Sequence, residues 1–407
     1  MTSYKIEIID AEELFLLHSF KGFLKSSSPD SSLFLVGDWT RSKMFQTKSF
    51  NYELVCYWQD YERFKRMISE LLKSSDAQKY FETSPFLRKK NSKKKKRTTD
   101  SATVRFYSHH GNKFKISLEA LKNNSLADDL LIRDFTINAL YFDIKLHKVI
   151  QFRNCINDFG DRMLRTLKSP LDTFENQINL FFRLVEFVTR YELKIDPDII
   201  EYFFSISTKA NAIQPAVFRC ISNFNSSSKK FFSKHYVAKM LKLLLELHIT
   251  DLFRLGFKDP FLFKRIFAQT VLFMERVEVI LETDFLELMA REYPKDSRPK
   301  IFSTKTRIFM FAFSFYRFDK IYVNDFLKMF LYTNKPISSK CIQLLDRLHF
   351  LIQDFNYKDT RSKQSKIAQA VSYIRECDFD KSKWGLLFVF KVCLDFEMQR
   401  KEKENHQ

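Results

Sequence analysis

The stretch Leu130-Leu-Ile-Arg-Asp-Phe-Thr-Ile-Asn-Ala-Leu140 decides how the N-terminal half of the chain is interpreted. Its apolar residues recur at helical spacing, which predicts a helix over 126–142 that packs on a sheet through Phe135, Ile137 and Leu140. The same periodicity predicts helices over 157–167 and 173–193, with a short apolar run at 149–152 between the first two.

Short β-rich runs lie upstream of that stretch. The segments 32–37 and 50–57 are apolar and predict two strands, and 60–74 predicts an amphipathic helix with Asp60 as its N-cap. The segments 103–108 and 113–118 flank His109-His-Gly-Asn112 and predict a hairpin. A small mixed sheet with flanking helices is therefore expected near the N-terminus.

Beyond residue 196 the pattern is almost entirely helical, with breaks at Pro215, Pro260, Pro294 and Pro336. The sequence predicts an α+β protein with a head over 1–145, a helical neck over 146–225 and an all-helical basic body and tail over 226–407. No convincing repeat is present, so a solenoid is unsupported.

Glycine and cysteine usage excludes several protein classes. The chain has 407 residues but only 6 glycines, too widely spaced for a dinucleotide fingerprint, a Walker loop or a hydrolase elbow. The 6 cysteines include no C-x-x-C pair, so neither a zinc site nor a disulfide framework is indicated. Buried free thiols in a reducing compartment (cytosol, nucleus or organelle interior) are expected.

No membrane or targeting segment is expected from the sequence. The longest uncharged apolar run, 308–316, is shorter than the roughly 20 residues of a spanning helix. Glu7, Asp10, Glu12 and Glu13 make the N-terminus acidic, unlike a signal or transit peptide. A soluble mature protein without a membrane partner is the expectation.

The charge balance favours nucleic acid as a partner. The formal net charge is +19, and eight cations fall within ten residues of one run. These cations are Arg88, Lys89, Lys90, Lys93, Lys94, Lys95, Lys96 and Arg97. Such a block repels itself and predicts a solvated loop that binds phosphate by releasing counterions. A localisation signal or a solubilising loop is the alternative. The segment 228–234 adds lysines interleaved with Phe231 and Phe232.

The eight positions Arg133–Leu140 carry a family resemblance. With Asp129 before them they resemble motif B (D-x-x-x-R-R-D-F-T-I-N-A) of the class II tRNA nucleotidyltransferase and bacterial poly(A) polymerase family. In the same register, Leu35–Ser42 is similar to the family's L-V-G-G-x-V-R-D, and the likeness extends over residues 33 to 195. It implies a nucleotidyltransferase head and an RNA 3′ end as substrate.

The resemblance also implies catalytic positions, and this chain departs from the family at each of them. Adding a nucleotide to an RNA 3′ hydroxyl uses two Mg²⁺ ions held by carboxylates, and residues i and i+2 of a strand share one face. Asn51 and Glu53 align with the family's D-x-D, and Lys115 aligns with its third acidic residue. Only Glu53 remains as a candidate metal ligand, so impaired catalysis is expected.

Other departures point the same way. Asp38 replaces the second glycine of the G-G pair, Ser42 replaces an aspartate, and Glu186 stands where an arginine is usual. The family's base-reading Asp and Arg align with Asn176 and Asn179 or, one residue on, with Gln177 and Leu180. Either register loses the arginine.

Several positions that the resemblance assigns to nucleotide binding are retained. They are Gly37, Arg41, Arg133, Asp134, Asn138 and Arg183. For Arg133, Asp134 and Asn138 a purely structural role, as a surface ion pair and a cap or core hydrogen bonder, is the alternative to nucleotide contact.

Three functions remain open from sequence. The first is a catalytically impaired member of the family, a pseudoenzyme, that binds tRNA or another RNA 3′ end and needs no cofactor. The second is an active divergent CCA-adding enzyme or poly(A) polymerase in which Glu53 and another carboxylate, such as Asp38, hold Mg²⁺. The third is a structural subunit of a ribonucleoprotein or polymerase assembly with protein partners.

Overall fold

A computed structural model describes residues 10–82, 101–152, 155–175, 177, 180–208, 231–232, 234, 236–252 and 260–282. The basic run 88–97, the apolar run 308–316 and most of the predicted body and tail lie outside the described residues. The chain divides into two compact units, Met1–Thr173 with Tyr191–Ile199 and Phe174–Arg190 with Ile200–Gln407. The domain boundaries inferred from the sequence stay predictions.

The first unit, called the head below, alternates short strands and helices. Its strands are β1 (Leu33–Val36), β2 (Asn51–Cys56), β3 (Ser101–Tyr107), β4 (Lys113–Ala120), β5 (Leu140–Asp143), β6 (Lys148–Gln151), β7 (Met163–Leu164) and β8 (Lys194–Ile195). Its helices are α1 (Ala11–Lys25), α2 (Asp38–Met44), α3 (Trp58–Leu71), α4 (Leu126–Leu130), α5 (Cys155–Gly160) and α6 (Pro170–Phe174, whose last residue falls in the second unit).

Six of these strands form a mixed sheet in the order β3-β4-β2-β1-β5-β6 within the described residues. The strands β2 and β4 run parallel, whereas the other neighbouring pairs are antiparallel. The two predicted strands and the hairpin are confirmed, and the apolar run at 149–152 overlaps β6. The predicted mixed sheet with flanking helices is therefore the observed architecture of the head.

The two faces of this sheet are covered unequally. One face carries the main core, in which Leu35, Tyr52, Leu54 and Phe114 pack against residues of α1 and α3. On the other face a smaller cluster joins Phe34, Val36, Val55, Leu121 and Tyr141 near α4. Because side chains alternate along a strand, Asn51, Glu53 and Lys115 lie on this second face, beyond the small cluster.

The helix predicted over 126–142 is wrong. In its place α4 ends at Leu130, a short 3₁₀ turn covers Thr136–Asn138, and β5 begins at Leu140. Phe135, Ile137 and Leu140 are buried as expected. The prediction failed because a short apolar run has no periodicity that distinguishes a buried helix from a buried strand.

Two further sequence expectations also need correction. Asp60 is not the N-cap of α3, since Tyr57 takes that position and the Asp60 carboxylate accepts a hydrogen bond from Ser31 Oγ at 2.8 Å. The helix predicted over 157–167 ends at Gly160, and Met163–Leu164 pairs in parallel with Lys194–Ile195 instead.

The second unit is helical in its described part. It contains most of α7 (Leu180–Tyr191) and α8 (Pro197–Thr208), followed by α9 (Val237–Glu246) and α10 (Pro260–Glu282). Phe231 and Phe232 are buried, and Lys234 Nζ pairs with a Glu186 carboxylate oxygen. These aromatic residues therefore belong to the core, so they do not form the RNA-stacking surface that the interleaved pattern indicated. None of the described helices is long and apolar enough to cross a membrane.

Candidate active site

Three strands bring the metal-position residues of the sequence analysis together. Glu53 pairs with Val36 at the end of β1, and Asn51 pairs with Lys115 across the parallel strands β2 and β4. Paired residues on neighbouring strands project from the same face, so Asn51, Glu53 and Lys115 surround one position on the sheet. The resemblance assigned Lys115 to a strand next to that of Asn51, and β4 is the neighbour of β2; the catalytic role of these positions stays a prediction.

Asp38 occupies the space beside Asn51. Its Oδ2 accepts hydrogen bonds from Asn51 Nδ2 at 3.0 Å and from Ser49 Oγ at 2.8 Å, and its Oδ1 lies 2.8 Å from Arg41 Nη2. A carboxylate at position 51 would meet the Asp38 carboxylate as a like charge, whereas the Asn51 amide donates to it. Asp38 and Asn51 are therefore chemically matched to each other.

Glu53 lies against Gly37, where α2 begins. Gly37 has a φ of +66°, and a Cβ built there would lie 2.1 Å from Glu53 Oε2. Burial raises the pKa of the Glu53 carboxyl above its ordinary value, although Lys115, Arg41 and Arg133 oppose that shift. This carboxyl therefore holds its proton more tightly than an exposed glutamate does.

The donors at these positions do not fit a pair of Mg²⁺ ions. Mg²⁺ prefers carboxylate oxygens, but here the strand edge presents an amide whose nitrogen points to Asp38, an ammonium and a carboxyl with a raised pKa. In the part of the chain that the structure describes, no three His, Cys, Asp or Glu side chains are grouped so as to hold a metal ion. The residues at the three positions therefore do not suit a pair of Mg²⁺ ions.

Arg41, Asn138 and Asp134 form a buried chain of hydrogen bonds next to this edge. Arg41 Nη1 donates to Asn138 Oδ1, and Asn138 Nδ2 donates to Asp134 Oδ1 at 2.7 Å. Arg41 Nε also donates to the Tyr191 hydroxyl at 3.3 Å, and Asp134 Oδ1 accepts from the Phe135 amide at 2.8 Å. The network ties α2 to the 3₁₀ turn within the motif at 133–140 and to Tyr191 at the end of the helix Leu180–Tyr191.

Arg133 makes a second internal set of contacts. Its Nη2 lies 2.6 Å from Asp129 Oδ2, which also accepts from the Tyr141 hydroxyl, and its guanidinium stacks 5.6 Å above the Tyr141 ring. Burial alone would lower the pKa of Arg133, but Asp129 holds it above its ordinary value. These contacts support the structural reading of Arg133; a ribose or phosphate contact stays a prediction.

The other predicted site residues lie elsewhere or outside the described residues. Arg183 is exposed on α7, in the second unit. Asn176 and Asn179 are outside the described residues, whereas the amide of Leu180 donates to the carbonyl of Gln177 at 2.8 Å. Ser42 Oγ is buried and, among the described residues, has no hydrogen-bond partner.

Two further residues of this region were not predicted from the sequence. Ser49 Oγ, which donates to Asp38, has no recognisable signal in sequence. Arg105 lies directly opposite Lys115 on the neighbouring strand β3. The hairpin sets this register. Once Tyr107 is opposite Lys113, each residue earlier in β3 pairs with the next residue of β4, so Arg105 is opposite Lys115.

Comparisons with known proteins agree with this fold. The poly(A) polymerase head domain matches residues 33–165. Poly(A) polymerase I of Escherichia coli O6:H1 is 27% identical over 125 residues, which are 31% of this chain and 26% of that protein. The mitochondrial CCA tRNA nucleotidyltransferase of Saccharomyces cerevisiae is 26% identical over 183 residues, 42% of this chain and 33% of that protein.

The fold likeness extends further than the sequence likeness. The Thermotoga maritima CCA-adding enzyme complexed with tRNA superposes with a TM-score of 0.56 at 12% identity, covering 98% of this chain and 85% of that one. By contrast, the sequence matches span only 26% and 33% of the two curated relatives.

The sheet, the motif at 133–140 and the matched domain define a nucleotidyltransferase-type head. Over this region the chain is similar to members of the tRNA nucleotidyltransferase and poly(A) polymerase family. Members of this family use Mg²⁺ when they are active.

Proposed function

We propose that this chain is an RNA-binding member of its family that no longer extends RNA. The observation that carries the proposal is the register of β2 and β4, in which Asn51 is the direct partner of Lys115 on the same face of the sheet. An ammonium there competes with the cations that the reaction needs, because like charges a few ångströms apart repel. The net charge of +19 supports binding to a polyanion.

The RNA class follows from the relatives. The yeast relative is a CCA tRNA nucleotidyltransferase, and the Thermotoga maritima structure is of an enzyme complexed with tRNA. A tRNA or a similar RNA with an exposed 3′ end is therefore the ligand that we propose.

One observation favours a second candidate, an active divergent nucleotidyltransferase. The Asp38 carboxylate lies within 3.0 Å of the Asn51 side chain and so returns a negative charge to the strand edge. Asp38 and Glu53 are the carboxylates on which such an enzyme would depend.

An extension assay separates the two candidates. The full chain is incubated with tRNA lacking its 3′ end, labelled CTP or ATP, and Mg²⁺, in parallel with filter retention of the same RNA. The proposal expects RNA retention that falls steeply with salt and no extension. Extension that disappears in both Asp38→Asn and Glu53→Gln would establish the second candidate instead.

The basic run 88–97 has its own test. Glutamine in place of Lys93, Lys94, Lys95 and Lys96 removes four positive charges. If all four contact single-stranded RNA, the slope of log K against log salt becomes shallower by about 3. An unchanged slope would remove this run from the RNA-binding surface.

A further inference from the structure

The open part of the second sheet face carries an unusual set of cations. Arg105 on β3 is the direct antiparallel partner of Lys115 on β4, and Lys113 follows on the same face as Lys115. Tyr107, which is 39% exposed, is paired with Lys113. We call Arg105, Tyr107, Lys113 and Lys115 the basic strip.

The basic strip is unfavourable for the folded protein alone. Directly opposed residues of antiparallel strands have Cβ atoms about 4.5–5.5 Å apart, and like charges at such a pair are destabilising. In the described part of the chain, no carboxylate lies within ion-pair distance of Arg105, Lys113 or Lys115. Glu53 attracts Lys115 only at longer range.

The cations are also accessible. Lys113 is exposed, and Arg105 and Lys115 are partly exposed, whereas their strand neighbours Phe106, Phe114 and Ile116 are buried in the main core on the opposite face. The strip begins beside Asn51 at the strand edge and ends at β3, the outermost strand on this side of the sheet.

We propose that the basic strip binds the backbone of single-stranded RNA, with Arg105, Lys113 and Lys115 contacting phosphates. Anions between Arg105 and Lys115 would relieve their mutual repulsion, and the Tyr107 ring offers a surface on which a base stacks. Cationic grooves with aromatic side chains are how proteins bind single strands without reading sequence. The inference rests on the proposed RNA binding and assigns it a surface on the head.

The principal test compares two double variants of the full chain. Arg105→Gln with Lys115→Gln removes two of the three positive charges of the strip. Lys25→Gln with Lys73→Gln removes the same charge from the last residue of α1 and from the turn after α3, two helices that cover the opposite face. The probe is a fluorescein-labelled single-stranded oligoadenylate, and its anisotropy is measured over a series of salt concentrations.

The two variants have different expected results. The strip variant should bind about tenfold or more weakly at moderate salt, and its slope of log K against log salt should be shallower by about 1.4. The control variant should keep the wild-type slope. If the wild type binds and both variants show the same affinity and the same salt slope, the basic strip is not the binding surface, although the protein still binds RNA. Absence of binding by the wild type at low salt would overturn both proposals.

Thermal unfolding tests whether a loss of binding in the strip variant is caused by a loss of folded structure. Because the strip variant removes a like-charge pair, its melting temperature should equal or exceed that of the wild type. A lower melting temperature together with lost binding would assign these cations to the fold and overturn the proposal. Tyr107→Ala should weaken binding about tenfold, and Tyr107→Phe should retain it, because only the ring is needed for stacking.

Discussion

Two neighbouring regions of the head, the motif at 133–140 with Arg41 and the metal-position edge, have diverged to different degrees. In the first, Arg41, Asp134 and Asn138 match the family pattern and bond to one another in the interior. In the second, Asn51 and Lys115 depart from it and lie beside an open surface. The matching residues are therefore bonded into the fold, whereas the departing residues lie at its surface, where a substitution disturbs fewer internal contacts.

Removing Arg41 should produce the largest effect. Arg41→Met takes away a nearly buried cation that pairs with Asp38 and donates to Asn138. Breaking a buried pair leaves a charge without compensation, so we expect the free energy of unfolding to fall by about 3–5 kcal/mol. Urea denaturation measures it, with the exposed Arg66→Met as the control. Equal stability of the two variants would contradict a structural role for the network.

Restoring the family residue at position 51 should come next. Asn51→Asp replaces the donor to Asp38 by a second carboxylate, and we expect a loss of about 2 kcal/mol in the free energy of unfolding at neutral pH. Exchanging the pair, with Asp38→Asn added, should recover part of that loss. A full double-mutant cycle by chemical denaturation tests the coupling, and purely additive effects would show that the two residues do not depend on each other.

The glycine at the start of α2 should show a smaller effect. Gly37→Ala must adopt a φ of +66°, which costs about 1–2 kcal/mol for a residue with a Cβ, while Glu53 can move its flexible end away. Gly22→Ala is the matched control, because Gly22 lies inside α1 with no atom within 4 Å of the new Cβ. That control should stabilise the protein by roughly 0.5–1 kcal/mol.

The smallest effect is a pH dependence. The raised pKa of Glu53 means that the folded state holds this proton when the unfolded chain has lost it, so the stability from this group is present at low pH. That stability disappears as the pH rises through the folded-state pKa. Glu53→Gln should therefore gain stability relative to the wild type between pH 4 and pH 7, as followed by melting temperature. A constant difference over this range would contradict the shift.

Much of the head could be predicted from its sequence. The strands around Leu35 and Leu54 and the hairpin at 103–118 follow from alternating patterns and from a turn of fixed length, which are local signals. The segment Leu140–Asp143 could not be assigned, because a short continuous apolar run has no period that separates a helix from a strand.

The side-chain contacts of the candidate site were harder to predict from the sequence. The family pattern put Lys115 on a strand next to that of Asn51 and Glu53, and β4 does pair with β2. It gave no indication that Asp38 accepts from Asn51, since that bond joins a helix and a strand through a side-chain contact that only the folded chain creates. The opposition of Arg105 and Lys115, by contrast, could have been obtained by counting back from the predicted turn.

The hydrogen bond between Asp38 and Asn51 also bears on how this protein could evolve. An aspartate at position 51 by itself would set two anions in contact at a partly buried edge of the sheet. An aspartate at position 51 would thus cost stability unless position 38 changed with it. The two positions are therefore coupled, and a substitution at one changes which residues the other tolerates.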